Sequence, residues 1–323
     1  MAFNSHTTNN ILFKKIVIVD YTGLQEFALN QLQAISRDPI MAYNDMPKND
    51  TELILRIKDA DAVFVSWNTS INAHVLSQCP NLKYIGMCCS LIDFDSANVD
   101  VRYAIQRGIT VKGIRDYGDE GVGEFIVSEL IQLLKGLDKH QWKSEPVELT
   151  NKKVGIIGMG TTGMLTAQRL QAFGTQVFYY SRTPKTLAEE KGIYYLPLEQ
   201  LLQSCEIISF HLPRHTKVLK AEHFELLGYG KILINTSLGL TFDKEDFKRW
   251  LIKDGNYAIF DVCAFGTHKD ELAQCDKLIY TEFTSGWTKE AKERLSHKVL
   301  DNVADYAGEQ KLKINDKILV LSQ

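Results

Sequence analysis

The stretch KVGIIGMGTTGMLTAQRLQAFGTQVFYYSRT, Lys153 to Thr183, decides the fold of this chain. It opens on an apolar run, Val154 to Ile157, that reads as a buried strand. Gly158-Met-Gly160-Thr-Thr-Gly163 follows. Met164, Leu165, Leu170 and Phe173 then recur near helical spacing until Gly174 ends the segment, and Gln176 to Tyr180 reads as a second strand. A GxGxxG pattern alone is weak, but here it lies between a strand and a helix in a unit of about thirty residues. Gly158 permits the tight turn, Gly160 lets a pyrophosphate approach the backbone, and Gly163 allows close helix–strand packing. The helix N-terminus, with Thr161 and Thr162 in its first turn, offers N–H groups to phosphate.

The end of the second strand addresses which dinucleotide binds. An acidic residue there would bond a ribose 2′-hydroxyl. This chain has Ser181-Arg182-Thr183, and a hydroxyl with a guanidinium suits a 2′-phosphate. The expected cofactor is therefore NADP(H), with NAD(H) as the alternative.

Bulk properties bound the rest. The 323 residues are enough for two domains, and 45% hydrophobic with 24% charged residues is ordinary for a globular protein. A net charge of -3 gives no electrostatic case for nucleic acid or an anionic membrane. MAFNSHTTNN lacks the apolar core of a signal peptide, and no apolar run has the length of a transmembrane helix. The six cysteines, Cys79, Cys88, Cys89, Cys205, Cys263 and Cys275, form no CxxC pair. They read as reduced thiols of a cytoplasmic protein, with no metal site. Adjacent Cys88 and Cys89 read as packing residues.

Outward from the glycine motif, strands are expected at Ile16–Val19, Ala62–Val65, Tyr84–Cys88 and Ile109–Val111, and helices through Leu24–Ile35, from Ile71, and over 97–107. Alternation with short loops implies a parallel sheet flanked by helices, here without a glycine-rich phosphate loop. Residues 1–11 read as a disordered leader. Glu120–Leu137 is a long helix, apolar on more than one face, hence buried or at an interface. Further strands are expected at Ile193–Leu196, Ile207–Phe210, Ile232–Ile234 and Tyr257–Val262, completing a doubly wound domain. Thr288–Glu309 reads as an amphipathic helix and Lys311–Leu321 as a terminal strand.

In their order, these landmarks resemble the D-isomer-specific 2-hydroxyacid dehydrogenases, with the glyoxylate/hydroxypyruvate reductases nearest in cofactor motif. They are Pro80-Asn-Leu-Lys83, Asn98-Val-Asp100, Val122-Gly-Glu124, the glycine motif, His211-Leu-Pro213, Asn235-Thr-Ser-Leu-Gly239, Phe260-Asp261-Val262 and Ser285-Gly286-Trp-Thr288. The resemblance implies a Rossmann-type sheet at 118–291 and a flavodoxin-like α/β substrate domain at 1–117, with 292–323 returning to it. It further implies a small-molecule substrate held in an interdomain cleft, a homodimer, and cofactor contacts at Leu212, Pro213, Thr216, Thr236 and Asp261.

The same resemblance implies a catalytic arginine, glutamate and histidine, and this chain departs from all three. Leu238 stands where the arginine is expected, Gly266 where the glutamate is, and Phe283 where the histidine is. The glycine-rich loop that binds a substrate carboxylate is replaced by Met87–Asp95, and the stretch after Pro213 is shortened. Leucine cannot imitate a bidentate carboxylate fork. The expectation is an altered reductase acting on a carbonyl or imine, with Tyr117 or Glu282 as proton donor. Asp116, Asp119, Glu120, His268, Asp270 and Glu271 are further polar candidates. The alternative is an inactive NADP(H)-binding sensor or scaffold.

Overall fold

The computed structural model describes residues 11–321, with side chains up to Gln310. The disordered leader expected at 1–11 falls, except for Ile11, outside the described residues. The chain divides into two compact units: one ends at Tyr117 and resumes at Lys289, and the other spans Gly118–Thr288.

The first unit runs β1 (Ile16–Ile18), α1 (Glu26–Ile35), β2 (Met41–Ala42), α2 (Asp50–Ile57), β3 (Ala62–Val65), α3 (Ala73–Ser77), β4 (Tyr84–Ser90), α4 (Val101–Gln106) and β5 (Thr110–Ile114). The strands pair in parallel in the order β2-β1-β3-β4-β5. This is the flavodoxin-like order. β1 and β3 are buried along their whole length, as strands covered by helices on both faces must be.

Caps fix the helix starts. Asn49, Asn72 and Asp100 accept from the N–H groups of Glu52, Val75 and Tyr103. α3 therefore starts at Ala73, and α4 at Val101 instead of Ala97, because Asp93 turns the preceding chain by accepting from the N–H groups of Asp95 and Ser96. β4 also runs further than expected. Met87, Cys88 and Cys89 are buried in the strand, and only Leu91–Asp95 of the presumed loop lies beyond it.

The second unit runs α5 (Asp119–Lys135), β6 (Lys153–Ile157), α6 (Thr161–Ala172), β7 (Gln176–Tyr180), α7 (Thr186–Glu190), β8 (Tyr194–Tyr195), α8 (Leu198–Ser204) and β9 (Ile207–Phe210). It continues with α9 (Ala221–Leu227), β10 (Ile232–Asn235), α10 (Lys244–Leu251), β11 (Tyr257–Phe260), a 3₁₀ turn (Val262–Phe265), α11 (Lys269–Leu272) and β12 (Leu278–Tyr280). Seven parallel strands lie in the order β12-β11-β10-β9-β6-β7-β8. One apolar cluster holds Phe242, Phe247, Trp250, Phe260 and Phe265; the other packs Leu130, Leu133 and Leu134 of α5 with Leu170 of α6. β6 is flanked by β7 and β9, so the winding reverses at β6. The carboxyl ends of β6 and β9 mark the crevice where such sheets take ligands.

α12 (Lys289–Leu321) belongs to the first unit. Its Tyr306 ring lies 5.7 Å from Phe13 and 4.8 Å from Tyr84, and Arg294 donates to the Tyr117 carbonyl at 2.8 Å. The strand expected at Lys311–Leu321 is instead the continuation of this helix. Extending a helix needs no new nucleus, whereas a strand needs a partner. Among the described residues, no helix is long and apolar enough to cross a membrane.

Candidate active site

Each glycine of the motif has a distinct physical reason. Gly158 sits at φ 101° and donates to the Tyr180 carbonyl at 2.9 Å; a Cβ there would lie 2.1 Å from the His211 carbonyl oxygen. A Cβ at Gly163 would lie 2.1 Å from the Gly158 oxygen, so that position lets α6 close onto the turn. Gly160 differs. Its φ of −89° suits any residue, and no atom lies within 4 Å of where its Cβ would stand. Glycine here leaves room in front of the α6 N-terminus, whose first-turn N–H groups have no intrahelical acceptor. Open space before a helix N-terminus fits a dinucleotide pyrophosphate.

α5 holds this turn. The Thr162 hydroxyl donates to Asp119, and Arg169 pairs with Glu120. Thr161 is exposed. At the end of β7 the Ser181 hydroxyl donates to the Thr183 carbonyl at 2.5 Å, while Arg182 and Thr183 are exposed. An exposed guanidinium at this strand end fits an anionic group on the ribose.

At the end of β9, His211 donates its N–H to Ile157 at 2.8 Å, and its Nε2 lies 2.9 Å from Ser209 Oγ. Burial pushes the imidazole down to about 4, so it is neutral near pH 7. Leu212 donates its N–H to Ser237 Oγ at 3.1 Å, and Leu212, Pro213 and Thr216 are half-buried. The Thr216 N–H donates to Pro213 at 3.3 Å, and His215 takes φ 63° in this short loop.

The three positions read as departures from the family, Leu238, Gly266 and Phe283, lie on the loops that follow β10, β11 and β12. After β10, Asn235 receives the Ser237 N–H and donates to the Gly239 carbonyl. This shapes a turn in which Thr236 is half-buried and Leu238 is 39% exposed. Gly239 donates to the Cys263 carbonyl at 2.9 Å, and a Cβ on Gly266 would lie 3.5 Å from the Gly239 Cα. After β11, the buried Asp261 accepts from Ala264 N–H at 3.1 Å, Ser285 N–H at 3.0 Å and Ser285 Oγ at 2.7 Å. Burial pushes its carboxyl above the usual range, opposed by these bonds. Val262 donates to the Phe283 carbonyl at 3.3 Å. Phe283 is 62% exposed, with its ring 6.3 Å edge-on from Phe125.

Glu282 is exposed and ion-paired with Lys269, and Glu271 pairs with Lys244 at 2.5 Å. Tyr117 ends the first unit, its carbonyl held by Arg294. Cys88 is wholly buried and burial raises its thiol well above the usual range, in keeping with packing. Among the described residues no three His, Cys, Asp or Glu side chains gather as a metal site. Sequence reading missed the buried hydroxyl hubs Ser237 and Ser285 and the Asp119–Thr162 bond. Ser285 stood in a quoted landmark, but its partner lies 24 residues away, at a distance no local pattern reports.

Comparison with known proteins gives the arrangement a lineage. Residues 126–285 match the model of the D-isomer specific 2-hydroxyacid dehydrogenase NAD binding domain. The chain is 26% identical over 316 residues to a hydroxypyruvate reductase of Blautia hydrogenotrophica, covering 90% of this chain and 96% of that one. It is 27% identical over 277 residues to a glyoxylate reductase of Pyrococcus furiosus, covering 78% and 81%. Among solved structures, an acyclic imino acid reductase (Bsp5) in complex with NADPH and D-Arg superposes with a TM-score of 0.78 at 23% identity, covering 91% of this chain and 97% of the other. A D-lactate dehydrogenase from Aquifex aeolicus complexed with NAD and lactic acid gives a TM-score of 0.75 at 23% identity, covering 94% and 98%. The match to the family's NAD binding domain, with these curated relatives, places the chain in the D-isomer-specific 2-hydroxyacid dehydrogenase family.

Proposed function

We propose that the protein is an NADP(H)-preferring reductase of a carbonyl or imine other than a simple 2-keto acid. The observation that carries this reading is position 238. A part-exposed leucine occupies the β10 loop where the family resemblance puts a carboxylate-binding arginine. Removing that cation lifts the electrostatic preference for an anionic acceptor, so a neutral or cationic one becomes the better substrate. The imino acid reductase of similar fold is compatible with this reading.

When bound, the cofactor would supply hydride chemistry, for which the chain would have to provide a proton to the acceptor's oxygen or nitrogen. In this chain the glycine turn and the α6 N-terminus would hold the cofactor's pyrophosphate, and Arg182 would take the 2′-phosphate of NADP(H). Leu212, Pro213, Thr216, Thr236 and Asp261 frame the rest of the cofactor site. Tyr117 and Glu282 are the two candidate proton donors, Glu282 with its carboxylate engaged by Lys269. The family resemblance and the apolar helix α5 support a homodimer.

The test is NADPH oxidation across matched 2-keto acids, neutral ketones and preformed imines, with wild type and Leu238→Arg. The expected result is turnover of neutral or cationic acceptors by wild type, and a shift toward 2-keto acids in the variant. Preference for 2-keto acids in the wild type would sink the proposal. A second reading, an NADP(H)-binding protein without turnover, is favoured by the replacement of all three catalytic positions. It predicts cofactor binding with no oxidation of NADPH by any acceptor.

A further inference from the structure

The start of α6 carries the partial positive charge of a helix N-terminus, yet nothing in α6 answers it. Gly160 at the cap offers no side-chain acceptor, and the first turn holds no acid. The anion comes from α5. Asp119, the first residue of that helix, accepts the hydroxyl of Thr162, the second residue of α6. Backbone packing fixes where Asp119 stands. A Cβ on Gly118 would lie 2.8 Å from the Gly286 oxygen, and one on Gly121 would lie 2.7 Å from the Ser285 oxygen. α5 therefore starts against a loop that the buried Asp261 holds through Ser285.

The neighbouring acid is handled differently. Glu120 also reaches α6, but Arg169 neutralises it. Among the described residues no lysine, arginine or histidine pairs with Asp119. The Thr162 hydroxyl occupies one oxygen of the carboxylate and leaves its negative charge in place. Asp119 and Thr162 are both half-buried, so water screens that charge incompletely. A pyrophosphate at the glycine turn would share the α6 N-terminus with this carboxylate, and like charges so placed repel.

We propose that Asp119 is a placeholder anion, a positioning residue that answers the α6 N-terminus while the cofactor is absent. By repelling the pyrophosphate it also sets cofactor affinity below what the turn alone would give, which favours exchange of oxidised for reduced cofactor. This rests on the glycine turn as the cofactor site and is independent of the substrate. The full chain and Asp119→Asn are titrated with NADH and NADPH by fluorescence. Asparagine keeps an acceptor for Thr162 and removes the charge. The variant should bind both nucleotides about fivefold tighter, because the pyrophosphate is common to the two. Asp119→Ser, a second neutral variant, should shift both affinities in the same direction. In thermal melts without cofactor Asp119→Asn should melt below wild type, having lost an anion at two helix starts. Saturating NADPH should then raise its melting temperature by more than it raises that of wild type. Unchanged or weaker binding in the neutral variants would make Asp119 a clamp only and overturn the proposal. Tightening confined to NADPH would move the effect to the ribose end and overturn it as well, and a cofactor-free melt at or above wild type would refute the holding role. A wild-type chain that binds neither nucleotide would sink the cofactor site itself and the placeholder with it.

Discussion

His211 makes a pH-dependent contribution to stability that can be isolated. Its imidazole is held near 4 by burial, against 6.5 for the unperturbed group, while an unfolded chain titrates at the ordinary value. Folding therefore disfavours the proton. The contribution is complete above pH 6.5 and is lost as pH falls from 6.5 toward 4. The fall from 6.5 to about 4 corresponds to a ceiling of about 3.4 kcal/mol. The ring is half-buried and shares its Nε2 with Ser209 Oγ at 2.9 Å, so solvent relieves part of this and about 2 kcal/mol is expected. His211→Gln keeps a polar group for Ser209 and removes the titration. Urea unfolding of both proteins between pH 7.5 and 4.5 measures the difference, because carboxylates elsewhere titrate equally in the two. Wild type should lose about 2 kcal/mol relative to the variant across that range. Parallel pH curves would refute the argument that His211 is neutral because it is desolvated.

Other substitutions separate architecture from binding. Arg182→Ala should weaken NADPH about tenfold and leave NADH within about twofold by fluorescence titration, since one charge-assisted contact to the 2′-phosphate is lost; equal weakening of both cofactors would refute the assignment. Gly158→Ala drives a Cβ into the His211 carbonyl at a positive φ and should lower thermal stability. Gly160→Ala has space and should keep the melting temperature while weakening NADPH. Asp20→Ala leaves two Ser66 donors and the Thr69 hydroxyl without their buried acceptor; about 3 kcal/mol of unfolding free energy should be lost in urea titration.

Much of the site was legible because its signals are local. Gly158, Gly160 and Gly163 can be read in order because turn, approach and packing are all demands on one strand–turn–helix unit. Leu238 and Phe283 read as departures from the family because each sits beside short landmarks at fixed spacing, and the structure puts them on the loops after β10 and β12. Less local features escaped. The Asn72 and Asp100 caps moved two helix starts, and the apolar spacing around them could not show which side chain would satisfy the first N–H groups. The strand expected at Tyr84–Cys88 runs on to Ser90, because burial on both faces of a strand erases the alternation that would mark its end.

By itself, the sequence determined a parallel α/β chain with a dinucleotide turn between β6 and α6, because periodicity and glycine requirements act within a few residues. Only the tertiary structure decided which polar groups meet. Asp261 reaches Ser285 across 24 residues, Thr162 reaches Asp119 across 43, and Asp20 reaches Thr69 across 49. Those pairings follow from strand order, which brings distant loops to the same carboxyl edge, and burial then makes each hydrogen bond obligatory.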